Sequence, residues 1–241
     1  MHRFFAPDIA TTLTLPEEES RHCVRVLRLV EGDEIEVIDG AGMLYRCRIA
    51  MAHNKHCALD IVEQQSCPPH WGSKIMLAVA PTKNLDRIEW MAEKCTEMGV
   101  DCITPLLCRH SERKVLKTDR LHKILVAAMK QSLKAQLPQL DELTPVENLI
   151  NEKSDAQRFI AYCDESLPRS ERKSLAQVYD SSRDALVLIG PEGDFDPQEV
   201  EMAFKAGFVP VTLGDSRLRT ETAALMAVAT MHSMKQVTSS K

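Results

Sequence analysis

The 241-residue chain lacks several features that would assign it to a class at once. No segment approaches the roughly 18 consecutive apolar residues that a membrane-spanning helix needs, so no membrane partner is expected. The first residues include acidic and Pro positions where a secretory signal needs an apolar run, so we expect a cytoplasmic protein. Internal repeats and low-complexity segments are also missing. These absences are typical of an ordinary globular chain.

Cysteine pairs and the commonest catalytic motifs are missing as well. None of the eight cysteines forms a CxxC pair, so we expect reduced thiols that pack as small hydrophobic residues. The histidines between His53 and Cys57 have no matching ligands elsewhere, so a turn between strands is favoured and no metal site is predicted. The absence of P-loop, GxGxxG and GxSxG motifs excludes the usual nucleotide, dinucleotide and serine-hydrolase sites.

The net charge of −5 argues mildly against nucleic-acid binding. Binding to phosphates needs only a local row of Lys and Arg, and two such rows occur, in segments 21–28 and 109–123. On charge alone, the preferred interpretation is that both rows are solvated helix faces.

The first part of the chain predicts a small β-barrel over residues 1–66. Its β-type runs are separated by turns rich in Gly and Asp, and a helix is predicted over Pro16–Leu29. The prolines at 68 and 69 suit an extended linker, so a second domain is predicted over residues 72–241. The predicted strands of the barrel are Glu34–Ile38, Met43–Ile49 and Cys57–Val62.

After the linker, strands and helices alternate, which predicts an α/β fold with a mainly parallel sheet covered on both faces. The predicted strands are Lys74–Ala80, Ile103–Leu107, Arg158–Cys163, Ala185–Ile189 and Phe208–Leu213. The predicted helices are Asn84–Met98, Asp119–Gln136, a helix capped by Asp196 and ended by Gly207, and Thr220–Gln236.

Two segments of the last third each begin as a buried strand and then break into a polar turn. They are LVLIGPEGDF, Leu186–Phe195, and LGDSRLRTETAALMAVA, Leu213–Ala229. Ligands of parallel α/β sheets bind at the carboxyl ends of strands. Two such turns side by side therefore predict a small-molecule pocket.

These two motifs resemble the RsmE family of SPOUT methyltransferases, which methylate uracil N3 in small-subunit ribosomal RNA. Further stretches resemble the family in the same order: MHRFF, HCVRVLRLVEGDEIEVIDGAG, PTKNLDRIEWMAEKCTEMGV and MKQSLKAQLP. The resemblance implies an N-terminal PUA-like β-barrel that binds RNA and a C-terminal SPOUT domain with a trefoil knot. It also implies S-adenosyl-L-methionine as cofactor, and the ribosomal RNA or the assembled small subunit as partner. A homodimer is expected because SPOUT knots usually pair, and because the last helix is apolar on more than one face.

The resemblance also suggests a set of site residues. The candidates for binding the methyl donor are Leu188, Ile189, Gly190, Glu192, Gly193, Leu213, Gly214, Leu218 and Thr222. The catalytic candidates are Arg219, a cation for the uracil anion, and Glu221, a proton acceptor acting directly or through water. Two structural alternatives stay open: Arg219 forms an ion pair with Glu192, and Glu221 caps the last helix.

The candidates for RNA binding are Arg3, Arg25, Arg28, Lys83 and Arg113. The chain departs from the common family pattern at Asp194, Asp196, Ser216 and Lys134, and the displaced Arg217 leaves its own role open. Two rival functions follow from these residues: a SPOUT enzyme that methylates the ribose 2′ oxygen, and an RNA-binding assembly factor without catalysis.

Overall fold

The computed structural model describes residues 1–162 and 173–239, and these residues divide into two compact units. The first unit comprises residues 1–70 and 126–137. Its elements are strand β1 (Arg3–Phe5), helix α1 (Ile9–Thr12), helix α2 (Glu17–Arg21), a π-helical turn (His22–Val26), and strands β2 (Glu34–Ile38), β3 (Met43–Met51) and β4 (Ala58–Ser66). The four strands form one sheet in the order β1-β2-β3-β4, in which only the β1–β2 pair is parallel.

The sheet of the first unit covers an apolar core on one side. Along β3, Tyr45, Cys47 and Ile49 are buried and alternate with exposed residues, as expected for a strand with one solvated face. The same core includes Phe4 from β1 and Leu59 from β4. Strands β2, β3 and β4 were all predicted from the sequence, whereas β1 was not.

The helix predicted over Pro16–Leu29 is shorter and less regular than expected. The α-helix ends at Arg21, and the π-helical turn carries the chain to Val26, with the Leu27 amide donating to the His22 carbonyl at 3.0 Å. Arg28 lies beyond the helix at a φ of 57°. Arg25 and Arg28 are three residues apart in the predicted helix, a spacing that predicts one shared face, but in the structure they do not share one.

The second unit comprises residues 71–125 and 138–241, so the unit boundary falls within helix α4. Its elements are β5 (Ile75–Val79), α3 (Leu85–Met98), β6 (Cys102–Leu107), α4 (Thr118–Gln131), β7 (Gln139–Leu140), β8 (Thr144–Pro145), α5 (Val146–Asn151), β9 (Gln157–Ala161), α6 (Leu175–Val178), β10 (Ala185–Ile189), α7 (Pro197–Lys205), β11 (Val209–Val211) and α8 (Thr220–Ser239). The sheet order is β11-β9-β10-β5-β6-β7, with β8 also paired to β6.

Every strand pair of this second sheet is parallel, which confirms the predicted architecture. All five residues of β10 are buried, as expected for a strand with neighbours and covering layers on all sides. Since the strands are parallel, the chain leaves β5, β9, β10 and β11 at the same edge. The trefoil knot stays a prediction, because pairing order alone does not establish it.

The caps of two helices follow the sequence prediction. Helix α3 begins after Asn84, whose side chain accepts from the Asp86 amide, and ends at Gly99, which has a φ of 111°. Helix α7 begins after Asp196 with Pro197 in its first turn, and Glu199 completes the capping box. These local signals fix where the chain turns after β5 and after β10.

Helix α8 is anchored near its end by Lys235. The Lys235 ammonium is buried and donates to the carbonyl oxygens of Trp71 at 3.1 Å and Ser73 at 2.9 Å, and burial lowers the pKa of the group. Within the described part of the chain, α8 and the other helices are too short or too polar to cross a bilayer.

The thiols behave as the sequence predicted. Seven of the eight cysteines lie within residues 1–162 and all seven are free, five of them buried. Burial raises the pKa of Cys95 to about 12, so its thiol stays protonated and unreactive at neutral pH. Cys163, the predicted end of β9, lies outside the described residues.

Candidate functional site

The two motif turns line a single open cleft at the carboxyl edge of the parallel sheet. The cleft has a volume of about 980 Å³. Its walls come from the ends of β9, β10 and β11, from the turns that follow β10 and β11, and from the first turn of α3. The Thr220 hydroxyl donates to the Gly190 carbonyl at 3.1 Å, which ties the second turn directly to the first.

The first turn is compact and depends on a glycine. A Cβ at Gly190 would lie 3.0 Å from Cδ2 of Phe195, so no side chain fits there without moving the ring. Asp194 closes the turn with its amide donating to the Pro191 carbonyl at 2.9 Å and has a φ of 61°. Aspartate tolerates this left-handed conformation better than most residues, so the departure from the family pattern at position 194 preserves the turn.

The start of α7 is fixed by a buried carboxylate. Glu199 accepts from the Arg109 amide at 2.7 Å and from the Asp196 amide at 2.8 Å. Asp196 in turn accepts from the Gln198 amide, the main cause of its lowered pKa, and pairs with the Arg109 guanidinium at 3.1 Å. The departure at Asp196 is therefore a helix cap that also pairs with a neighbouring cation.

The loop after β5 contacts the first turn, although its residues do not line the cleft. The Glu192 carboxylate accepts from the Lys83 amide at 3.0 Å, which joins the first turn to this loop. The Arg113 guanidinium donates to the Thr82 and Lys83 carbonyls, at 3.3 and 2.6 Å. Arg113 therefore holds the loop in place, while the Lys83 ammonium is exposed and only 3.9 Å from a carboxylate oxygen of Glu112.

The second turn needs glycine for a different reason. Gly214 has a φ of 125°, a conformation that side chains rarely allow, and no atom approaches its missing Cβ within 4 Å. Leu213 and Leu218 add apolar surface to the cleft, and Arg217 and Arg219 are exposed at its rim. Within the described residues Arg219 forms no ion pair with Glu192, so that structural alternative does not hold.

Glu221 is buried in the first turn of α8 and is 7 % exposed. Its Oε1 lies 3.7 Å from Nε of Arg87, a residue of the cleft wall. Its Oε2 is buried and has no hydrogen-bond partner within residues 1–162 and 173–239. The helix dipole stabilises an acidic residue in the first turn of a helix. Capping of α8 by Glu221 does not explain why its Oε2 is buried without a donor.

The cleft gathers most, but not all, of the candidate residues. Those that line it are Ile189, Gly190, Glu192, Leu213, Gly214, Leu218 and Arg219. The others lie outside the lining: Leu188 in the core, Gly193 against His110, Thr222 and Glu221 on α8. The lining residues that sequence reasoning missed include Arg87, Ala161 and Tyr162. All three follow or end a predicted strand or begin a predicted helix, so the strand-end rule could have found them.

The RNA-binding candidates of the first unit differ in exposure and in how many of their hydrogen-bond donors are already used. The Arg3 guanidinium donates twice to one oxygen of Glu36, at 2.9 and 2.7 Å, and its side chain is mostly buried. Arg25 and Arg28 are exposed. A paired guanidinium has fewer donors left for phosphate, so Arg25 and Arg28 are the better placed of the three.

The charges that line the cleft balance, which bears on the ligand it can hold. The cleft is lined by three cations, Arg87, Arg217 and Arg219. It is also lined by three acidic residues, Glu192, Asp194 and Asp215. A cleft of this size with apolar walls, exposed backbone at two turns and mixed charge suits a small molecule that carries both signs of charge and an apolar part.

Comparisons with known proteins agree with the two-part α/β fold described above. A family model described as an RNA methyltransferase domain matches residues 69–232, which is more than half of the chain. A second model, described as an RNA methyltransferase PUA domain, matches residues 15–62. The chain therefore belongs to this family of RNA methyltransferases, which confirms the family and the N-terminal PUA domain that the motifs predicted.

Two named relatives within the family are similar to this chain over most of its length. Ribosomal RNA small subunit methyltransferase E of Bacillus subtilis (strain 168) is 27% identical over 229 residues, covering 91% of this chain and 89% of the relative. The enzyme of the same name from Aquifex aeolicus (strain VF5) is 28% identical over 236 residues, covering 95% and 98%.

Solved structures show the same fold over nearly the whole chain. A probable rRNA-methyltransferase from Porphyromonas gingivalis is 43% identical, with a TM-score of 0.93 over 99% of this chain and 100% of that one. A ribosomal RNA small subunit methyltransferase E from Neisseria gonorrhoeae, bound to S-adenosyl methionine, is 26% identical, with a TM-score of 0.83 over 97% of each chain.

Proposed function

We propose that this chain methylates uracil N3 of small-subunit ribosomal RNA, with S-adenosylmethionine as the methyl donor. The observation that carries the proposal is the single cleft formed by the GPEG and LRTETA turns and joined by the Thr220–Gly190 hydrogen bond. The relatives named above support it, since their names specify the small-subunit RNA. We also propose a cytoplasmic location, where such a substrate is found.

The cleft fits the methyl donor in size and chemistry. Ile189, Leu213 and Leu218 provide apolar walls for an adenine, and Gly190 and Gly214 expose backbone to it. Glu192 is fixed by the Lys83 amide and offers a negative charge. Leu188, Gly193 and Thr222 are next to lining residues in the chain but do not line the cleft themselves. When bound, S-adenosylmethionine supplies an activated methyl group: the carbon–sulfur bond breaks, sulfur keeps the electron pair, and N3 of the uracil forms the new bond.

The residues of the chain must help N3 lose its proton before it can attack. Arg219, at the rim of the cleft, is the proposed cation for the uracil anion, because an opposite charge lowers the pKa of an acid. Glu221 can act in two ways: it can accept the proton through a water, or it can fix the neighbouring Arg87 guanidinium. In the first case the proton passes through the water to Glu221, and in the second it leaves to water.

The proposed RNA contacts are Arg25, Arg28, Lys83, Arg113 and Arg3, of which the Arg3 guanidinium is already paired with Glu36 on one edge.

We also propose a homodimer. Helix α8 supports this, because Met226 and Val237 are 42% and 58% exposed on a helix whose other apolar residues are buried or partly buried. Sedimentation velocity at micromolar concentration is expected to give the mass of two chains, and a species of one chain only would contradict the dimer.

The function is tested by incubating small ribosomal subunits with the protein and S-adenosylmethionine, then digesting the RNA and identifying modified nucleosides by mass spectrometry. Subunits from a strain without the orthologous enzyme provide unmodified substrate, and protein-free RNA tests which form is accepted. We expect one new N3-methyluridine per subunit. A methyl group on ribose would support the 2′-oxygen rival instead. No product, together with no binding of the donor by calorimetry, would support the assembly factor.

A further inference from the structure

The guanidinium of Arg87 lies in the cleft wall, although the sequence analysis gave this residue no role. Arg87 lies in the first turn of α3, and the Asn84 cap fixes where that helix begins after β5. Its side chain is 39% exposed, and its Nε faces Oε1 of Glu221 at 3.7 Å. Within the described part of the chain, the two terminal nitrogens of Arg87 have no hydrogen bond, so they are left for a ligand.

The partner of Arg87 is an unusual carboxylate. Glu221 is buried, yet only one of its oxygens faces a cation, and the other has no partner among the described residues. A buried carboxylate oxygen without a donor is costly, and such groups are retained where they serve a site. Because Glu221 follows Thr220, whose hydroxyl holds the Gly190 carbonyl, its charge is fixed relative to both turns.

We propose that Arg87 contacts the substrate base and that Glu221 is the positioning residue that holds Arg87. This inference rests on the proposed function. The terminal nitrogens of Arg87 would donate to a uracil carbonyl oxygen next to N3 and stabilise the anion that forms when the N3 proton leaves to water. A cation held in place beforehand stabilises developing charge with little reorganisation. Arg217 and Arg219 are exposed and form no ion pair within residues 1–162 and 173–239, so they are less constrained.

The assignment also predicts base selectivity. Both carbonyl oxygens of uracil accept hydrogen bonds, whereas cytosine presents an amino group at position 4 and an N3 without a proton. A guanidinium aimed at position 4 would meet a donor in cytosine. Three acidic residues, Glu192, Asp194 and Asp215, line the same cleft and partly offset its cations. A cation that is anchored in place therefore has the larger effect on the base.

Arg87→Met is the test variant, and Arg120→Met is the matched control. Arg120 also pairs with a glutamate of α3, Glu89, at 2.6 Å, but it does not line the cleft. We expect Arg87→Met to lower kcat by about 100-fold, the usual effect of removing one donor to a developing anion. The pH at which the rate levels off should rise by about 1 to 3 units, because the uracil anion loses one of its two proposed cations and keeps only the exposed Arg219. Calorimetry should show the Kd for S-adenosylhomocysteine unchanged within about threefold.

Glu221→Gln and the double variant separate positioning from proton transfer. If Glu221 acts through Arg87, the double variant should be no slower than Arg87→Met alone, and Arg87→Lys should recover part of the rate. If the kcat losses of the two single variants multiply in the double variant, Glu221 is an independent catalytic group and its positioning role is overturned. An Arg87→Met enzyme that matches Arg120→Met, or that loses donor affinity rather than kcat, would overturn the assignment of Arg87. A wild-type protein that makes no N3-methyluridine overturns both this inference and the proposed function, whereas the preceding outcomes leave the function standing.

Discussion

Replacing Gly190 with valine is expected to lower the affinity for S-adenosylhomocysteine by at least about 100-fold, roughly 2.7 kcal/mol. The Gly190 carbonyl is the acceptor that ties the two turns together, and a Cβ at this position would lie 3.0 and 3.1 Å from two ring carbons of Phe195. The larger side chain must displace either the ring or the backbone, and both changes open the cleft. Gly190→Ala should have an intermediate effect, of about tenfold, because a single methyl needs only a small shift.

Titration calorimetry measures this effect, and circular dichroism establishes that each variant is folded. Gly72→Ala is the control for a strained glycine replacement away from the cleft: the residue has a φ of 74°, its Cβ would meet no atom within 4 Å, and it does not line the cleft. It should bind the ligand as the wild type does. Native affinity in Gly190→Val would mean that the methyl donor does not depend on this turn.

Glu199→Ala is expected to cost about 3 kcal/mol of stability, because it leaves the amides of Arg109 and Asp196 without their acceptor. The side chain of Glu199 is almost completely buried, so water cannot replace the lost carboxylate. For a protein of this length the loss corresponds to a fall in Tm of roughly 10 °C. Donor affinity should fall as well, since Glu199 fixes the start of α7 directly after the first turn.

Glu201→Ala on the same helix is the matched control. Glu201 is exposed, and among the described residues it pairs only with Lys205, four residues later. Pairs of this kind contribute about 0.3–0.5 kcal/mol, so Tm should change little. Differential scanning calorimetry of both variants decides the matter: equal Tm values for Glu199→Ala and Glu201→Ala would show that the buried carboxylate is not what fixes α7.

The sequence predicted the second unit well because its signals are local and consistent. Strand β10 matched Ala185–Ile189, and α7 had its cap, its proline and its capping-box glutamate in the order that the helix start requires. Short elements without such signals were missed, among them β1, which pairs with β2 through contacts more than thirty residues away in the chain. The helix before β2 was wrong in its last turns, because the switch to π-helical bonding has no clear sequence signal.

The candidate site was predicted in part, and the missing part has a physical reason. Turn glycines and the LRTETA segment are visible as motifs, so Gly190, Gly214 and Arg219 were found and do line the cleft. Arg87 is supplied by helix α3, which follows the neighbouring strand β5, and reaches the site through the parallel register of β5 and β10. Burial of Glu221, and therefore its pairing with Arg87, depends on the same tertiary packing and could not be read from residue order.

The central claim is that the turns after β10 and β11 bind the methyl donor between them. A crystal structure of the protein with S-adenosylhomocysteine tests it most directly. The ligand is predicted to lie in the cleft with Gly190 and Gly214 against it, and with its sulfur directed toward the side of the cleft where Arg87 stands. Ligand density elsewhere on the molecule, with this cleft empty in the same crystal, would contradict the account.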